Sequence, residues 1–272
     1  MVEYFGEAEP RGFAVLEKSM HPHRVAVMVD GGFFLKRLRH QFPDVDPNDP
    51  AVVARLIHAH AIRHKYQRTG KDERGRDVFE SYDLYRIFFY DCPPLEKKMH
   101  RPVSKKAVDF AKTDQAIFRR SLHNELRKKR KVALRLGHLL ATTEWRLKSD
   151  VLTELLKGNI KYDELSDDHF ILNTGQKGVD MRLGLDAAAL SYKRLVDQIV
   201  LVIGDSDFVP AAKLARREGI DVIIDPLGQR LHDELFEHTD GVRTPIRRSL
   251  RKLTPEMAES GLSAIVQEDD DD

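Results

Sequence analysis

Two stretches of the chain are apolar without interruption, and each ends in an acid. Residues 199–203 read Ile-Val-Leu-Val-Ile, then Gly204 and Asp205-Ser206-Asp207. Residues 25–29 read Val-Ala-Val-Met-Val, then Asp30 and Gly31-Gly32. Short apolar runs that do not alternate predict strands buried on both faces, as in a parallel sheet. Further strands are predicted over Asp83–Asp91, which is rich in aromatics and stopped by Pro93-Pro94, and over Val132–Leu136, 169–172 and 220–225. Helical patterns cover 33–40, 50–66 (with Asn48 or Asp49 as cap), 104–130, 177–192, 209–218 (closed by Gly219) and 232–238. Residues 69–77 read as a polar loop, and 146–168 carry no clear period. Strand–helix–strand alternation through 199–225 predicts a right-handed parallel crossover. The expected organisation is a lead-in over 1–22, one domain over 23–245 with a charged helical insertion at about 95–170, and a polar-to-acidic, disordered tail over 246–272.

Composition narrows the class. The chain has 272 residues, enough for a sizeable core, with 41% hydrophobic and 33% charged residues and a net charge of +1. That balance says little about partners, but its distribution says more. Residues 119–135 hold eight Lys or Arg against one Glu, whereas 268–272 are wholly acidic. The single cysteine, Cys92, cannot form an internal disulfide, and no apolar run approaches 18 residues. A soluble cytoplasmic protein without a membrane partner is expected, and a homodimer is compatible with the chain.

The acids at the strand ends carry the candidate chemistry. In open α/β sheets ligands bind beyond the carboxyl ends of the strands. Neighbouring strands would bring Asp30, Asp205 and Asp207 together there. Clustered carboxylates resist ionisation unless a cation joins them, and oxygen ligands suit a hard divalent ion. Asp180 lies in the first turn of the helix predicted from 177, where the helix dipole favours an acid. Asp186, six residues on, falls well round the helix and suits a supporting role. Each acid also has a plainer reading: Asp205 or Asp207 as a helix cap, Asp180 as a helix-start residue.

Taken together, Met28-Val-Asp-Gly-Gly32, Phe88-Phe-Tyr-Asp-Cys-Pro-Pro94, Gln176-Lys-Gly-Val-Asp180 with Asp186, and Gly204-Asp-Ser-Asp-Phe-Val-Pro210 resemble the NYN domain, of the LabA-like kind, in the PIN-like nuclease superfamily. Residues 231–240 are similar to its closing segment. The resemblance implies a Rossmann-like three-layer α/β/α fold with a mainly parallel sheet. It also implies a metal-dependent ribonuclease using Mg²⁺ or Mn²⁺, with RNA as partner. Asp30, Asp180, Asp205 and Asp207 would be the catalytic, metal-holding acids. Two departures stand out. Gly32 occupies a place where the family commonly has Asn, and residues 95–174 have no clear counterpart. Gly32 keeps a second reading open, a catalytically weak RNA-binding or regulatory module. A metal-dependent phosphatase is a third.

Other residues are candidates for supporting roles. Lys177 beside Asp180 suits a phosphate contact, and Ser206 a hydrogen bond to a carboxylate or phosphate. Asp91 ends its strand and would line the cleft or make a turn. Arg119, Arg120, Arg127, Lys128, Lys129, Arg130 and Lys131 form a basic surface suited to RNA, or a solvated helix face. His60 and His64 share a helix face at i, i+4. No acid or cysteine nearby in sequence completes a zinc set, so His58, His60 and His64 are expected to be exposed. The Tyr82–Tyr90 aromatics read as core, and Cys92 as structural. Gly31-Gly32 lacks the phosphate-loop pattern that would mark a nucleoside triphosphatase.

Overall fold

A computed structural model describes residues 22–75, 77–139 and 144–245. The expectations for 1–21 and 246–272 lie outside the described residues. Six strands form one sheet: β1 (Arg24–Asp30), β2 (Asp83–Asp91), β3 (Val132–Leu136), β4 (Gln198–Val202), β5 (Asp221–Asp225) and β6 (Gly241–Val242). Their order across the sheet is β6-β5-β4-β1-β2-β3, and every pairing is parallel. This is the doubly wound order in which the chain reverses direction between β1 and β4.

Helices cover both faces. On one side lie α1 (Gly31–Gln41), α2 (Pro50–Arg63) and α3 (Asp114–Arg127). They pack Phe34, Leu38, Leu56, Ile57, Leu122 and Leu126 onto Val25, Val27 and Val29 of β1. The other side holds α5 (Val179–Tyr192) and α6 (Val209–Arg217), preceded in the chain by α4 (Ser149–Leu156) and followed by α7 (Asp233–Glu237). There Leu183, Ala187, Leu190 and Ala212 meet Ala26, Met28, Leu201 and Ile203. Strand side chains alternate between faces. Both halves of the patterns at 25–29 and 199–203 are therefore buried, which is why those stretches carry no polar position.

The expected three-layer α/β/α fold is present. Strands β1 to β5 and helices α1, α2, α5, α6 and α7 fall where the pattern places them, within a few residues. Two expectations change. The interval read as a loop at 69–77 belongs to an antiparallel hairpin of Tyr66–Lys71 with Asp77–Ser81. The helix read from 104 begins at Asp114, because the preceding residues form a short hairpin, Lys98–His100 with Ala107–Asp109, and a 3₁₀ turn. Thr113 then caps α3 by accepting from Ala116 N. The charged composition of 95–113 mimics a helix face, but the positive φ of Lys105, 57°, turns the chain back. A separate antiparallel pair joins Glu144–Leu147 to Phe170–Asn173 across α4.

Candidate active site

Asp30, Asp205 and Asp207 follow or close the two strands that flank the topological switch. Asp30 ends β1 and caps α1, its Oδ1 accepting from Phe33 N at 3.1 Å. Asp205 lies three residues beyond β4 and caps the 3₁₀ turn Ser206–Phe208, accepting from Asp207 N. Asp205 and Asp207 are exposed, and Ser206 opens the turn between them. The cap reading thus holds for Asp205, Asp30 proves to be a cap as well, and each carboxylate keeps further lone pairs. Asp180 is the second residue of α5, exposed at the helix start.

Close packing sets these positions. Phe33 of α1 lies against Gly204, where an added Cβ would come within 2.2 Å of the ring. Gly31 faces Phe89 and the Tyr90 carbonyl with as little room, 2.5 Å and 2.8 Å. These contacts draw the start of α1 onto the ends of β4 and β2, and only glycine fits.

The acids feel one another. Burial raises the Asp30 carboxyl above the usual range, backbone bonds from Phe33 and Gly32 oppose this, and the charges of Asp180 and Asp91 add to it. Burial likewise raises Asp180, with Asp207 and then Asp205 as the added causes. Asp180 therefore links Asp30 electrostatically to the 205/207 pair. A donor set made wholly of mutually repelling carboxylate oxygens fits a hard divalent cation. Among the described residues no three of these acids bring ligand oxygens within 4.8 Å of one another. Mg²⁺ keeps several waters and takes only one or two carboxylates, so acids at this spacing are compatible with it.

Asp91 and Asp186 have other partners. Asp30 pairs in register with Tyr90, so Asp91 points to the opposite face of the sheet. There its fully buried carboxylate meets Arg119 Nη1 on one oxygen and His123 Nε2 at 2.8 Å on the other. Asp186 accepts from Tyr90 Oη at 2.9 Å and Arg135 Nε at 2.8 Å. Burial, then the Asp186 charge and bond, push the Tyr90 phenol far above its ordinary value. Lys177 is exposed, in a short pairing with His138, next to the α5 start.

The basic residues divide. Arg119 reaches the acidic end through Asp91, and Arg120 binds Glu96 Oε1 and the Ala111 carbonyl. Because α3 runs antiparallel to β3, the stretch Arg127 to Lys131 comes at the opposite end of the sheet, just before Val132.

The structure overturns the expectation for the α2 histidines. His60 and His64 are buried, with 1% and 0% of the side chain exposed. Their Nε2 atoms lie 2.6 Å and 2.9 Å from Oδ2 of Asp225, at the end of β5. The missing acid lies 161 residues beyond His64, so spacing along the chain gave no sign of it. Among the described residues this is the group whose three ligand atoms lie within 4.8 Å of one another. The lone pairs of its carboxylate are already engaged. Asp225 Oδ1 also accepts from Leu227 N at 2.9 Å and Thr244 Oγ1 at 2.6 Å, giving four donors for about four acceptor positions. Burial lowers His64 to about 4, despite the opposing pull of Asp225. Burial alone would raise Asp225, but His60 and His64 outweigh it and hold the carboxyl far below the usual range. This group reads as a hydrogen-bonded clamp between α2, β5 and the segment after β6.

Residues 102–230 match the NYN domain. The NYN match holds Asp180, Asp205 and Asp207 and the basic residues of α3, while Asp30, β1 and β2 precede it. NYN domains are nuclease-like. No curated protein and no solved structure matches the chain. No described helix is long and apolar enough to cross a membrane.

Proposed function

We propose that the chain is a metal-dependent ribonuclease of the LabA-like NYN kind that hydrolyses RNA phosphodiester bonds. The observation that carries this reading is the electrostatic chain Asp30–Asp180–Asp207/Asp205 at the switch point of the sheet. One or two Mg²⁺ or Mn²⁺ ions shared among these four acids would supply Lewis acidity and a water of lowered pKa. The chain's own groups have separate tasks. Asp30 is kept in one rotamer by Phe33 N, with its second oxygen left for a ligand. Asp205 is fixed by its bond from the Asp207 amide. Asp180 projects from a helix start whose dipole favours its ionised form. Lys177 at that helix start contributes a point charge for a phosphate. Asp186 serves at a distance, holding Arg135 and Tyr90 against α5.

The test is incubation with single-stranded RNA, duplex RNA, DNA and a chromogenic phosphomonoester, with Mn²⁺, Mg²⁺ or EDTA, beside Asp205→Asn. RNA loss that needs metal and disappears in the variant is expected. RNA binding without cleavage would favour a regulatory module, for which Gly32 is the specific motive. Turnover of the monoester alone would favour a phosphatase.

A further inference from the structure

The basic residues of α3 sit at two levels of the sheet, and this bears on how a strand of RNA would lie. Arg119 is anchored at the acidic end by Asp91, with 18% of its side chain still exposed, and Arg120 lies beside it at 42%. Eight residues later Arg127 ends the helix, and Lys128 to Lys131 form the turn into β3. At 1.5 Å per residue, Arg119 and the turn are about 15 Å apart along the edge of the sheet.

The far end carries charge that the protein does not balance. Arg86, exposed on β2, precedes Ile87, the partner of Val132, and so joins this turn. Of Arg86, Lys128, Lys129, Arg130 and Lys131, only Lys128 forms an ion pair among the described residues, with Glu125 at 2.6 Å. The histidine that touches the turn adds no negative charge. His58, bonded to the Arg130 carbonyl at 3.1 Å, is lowered by burial and then by the Lys129 charge. Lys131 holds a left-handed φ of 62° and donates to the Leu84 carbonyl, which fixes the turn on β2. A concentration of unbalanced cations on a fixed turn is a surface for a polyanion.

The geometry points to a track for single-stranded RNA along the α3 edge, running from Arg119 at the acidic end to Lys129 and Arg130 at the opposite end. This rests on the ribonuclease reading for its substrate and adds a length requirement. At a stacked spacing of about 3.4 Å per nucleotide, roughly five nucleotides to one side of the cut cover the distance. Shorter strands reach the acids without engaging the turn. A track of this kind contacts phosphates, so it takes RNA without regard to sequence.

Fluorescence polarisation in EDTA tests this with the full chain and labelled single-stranded RNAs of 4, 8, 12 and 20 nucleotides. The wild type should gain affinity up to a length that covers the edge, then level off. Lys129→Ala with Arg130→Ala should weaken the 20-mer about tenfold and the 4-mer less than twofold. The salt dependence for the 20-mer should drop in log–log slope by about 1.4, at about 0.7 per phosphate contact. Charge reversal at the same two positions should deepen the loss for the long strand only. An unchanged length dependence in the variant overturns the track, as does an equal loss at every length. Failure of the wild type to bind RNA of any length overturns the ribonuclease reading and the track with it. Length-independent binding with intact cleavage overturns the track alone.

Discussion

Single positions in this protein show how a neighbour across the sheet decides what a residue does. Asp30 and Asp91 both close strands of identical direction, yet register pairs Asp30 with Tyr90 and sends Asp91 to the other face. Asp30 thus joins a repelling group of acids, while Asp91 is ion-paired with Arg119 and hydrogen-bonded to His123. Opposite consequences follow for substitution. Asp91→Ala leaves the Arg119 guanidinium and a His123 ring nitrogen facing a buried gap, and a loss of about 3–5 kcal/mol is expected in urea unfolding. For Asp30 and Asp180 the sign reverses. A carboxyl raised in the folded state binds its proton more tightly there than in the unfolded chain, so ionisation costs stability as pH rises through the raised value. Asp30→Asn and Asp180→Asn should therefore melt higher than wild type at pH 7 in EDTA, since Asn serves as the α1 N-cap in place of Asp30 and Asp180 caps no helix with its side chain. Added Mn²⁺ should raise the wild-type melting temperature and leave these variants nearly unchanged. Gly204→Ala would drive a methyl into the Phe33 ring, and about 1–3 kcal/mol of destabilisation is expected by thermal melting.

At the level of elements, helix direction explains which basic residues face the chemistry. The composition of residues 119–135 suggested one basic surface, but α3 separates it into an anchored pair and a remote turn. That separation needs only a helix lying antiparallel to β3, as every right-handed crossover provides. Helix α5 is docked by a comparable device, the Tyr90–Asp186–Arg135 contact. Tyr90→Phe removes one hydrogen bond to a carboxylate and should cost about 1.5–3 kcal/mol in chemical denaturation, with the α/β circular dichroism unchanged. Helix α2 is tied more firmly. The His60–His64–Asp225 clamp joins it to β5 and, through Thr244 and Arg243, to the last described segment.

The whole molecule inherits its pH response from that clamp. His64 is held neutral, with its value lowered to about 4 from an ordinary 6.5. Between those values the unfolded chain binds more protons, so stability is complete above about pH 6.5 and falls as the pH drops through 4. The depressed Asp225 adds a further loss once the unfolded carboxylates begin to protonate near 4. Melting temperature against pH should bend downward below about 6.5, and His64→Gln should flatten that bend although its overall stability is lower. Five of the six parallel strands and the acids that follow β1 and β4 were legible along the chain, because an apolar run stopped by an acid and a glycine is a local pattern; the two-residue β6 was too short to carry one. The two hairpins were not, because their strands are short and carry too few apolar residues to set a period, so their pairing is decided by contact. The clamp was hidden for a stronger reason: its acid and its histidines are far apart in sequence, and burial of a histidine depends on what covers it. Local pattern therefore determined which segments become the first five strands of the central sheet and which acids follow β1 and β4. Tertiary structure alone decided which acids repel and which are neutralised, because charge acts through space and register fixes the face on which each side chain stands.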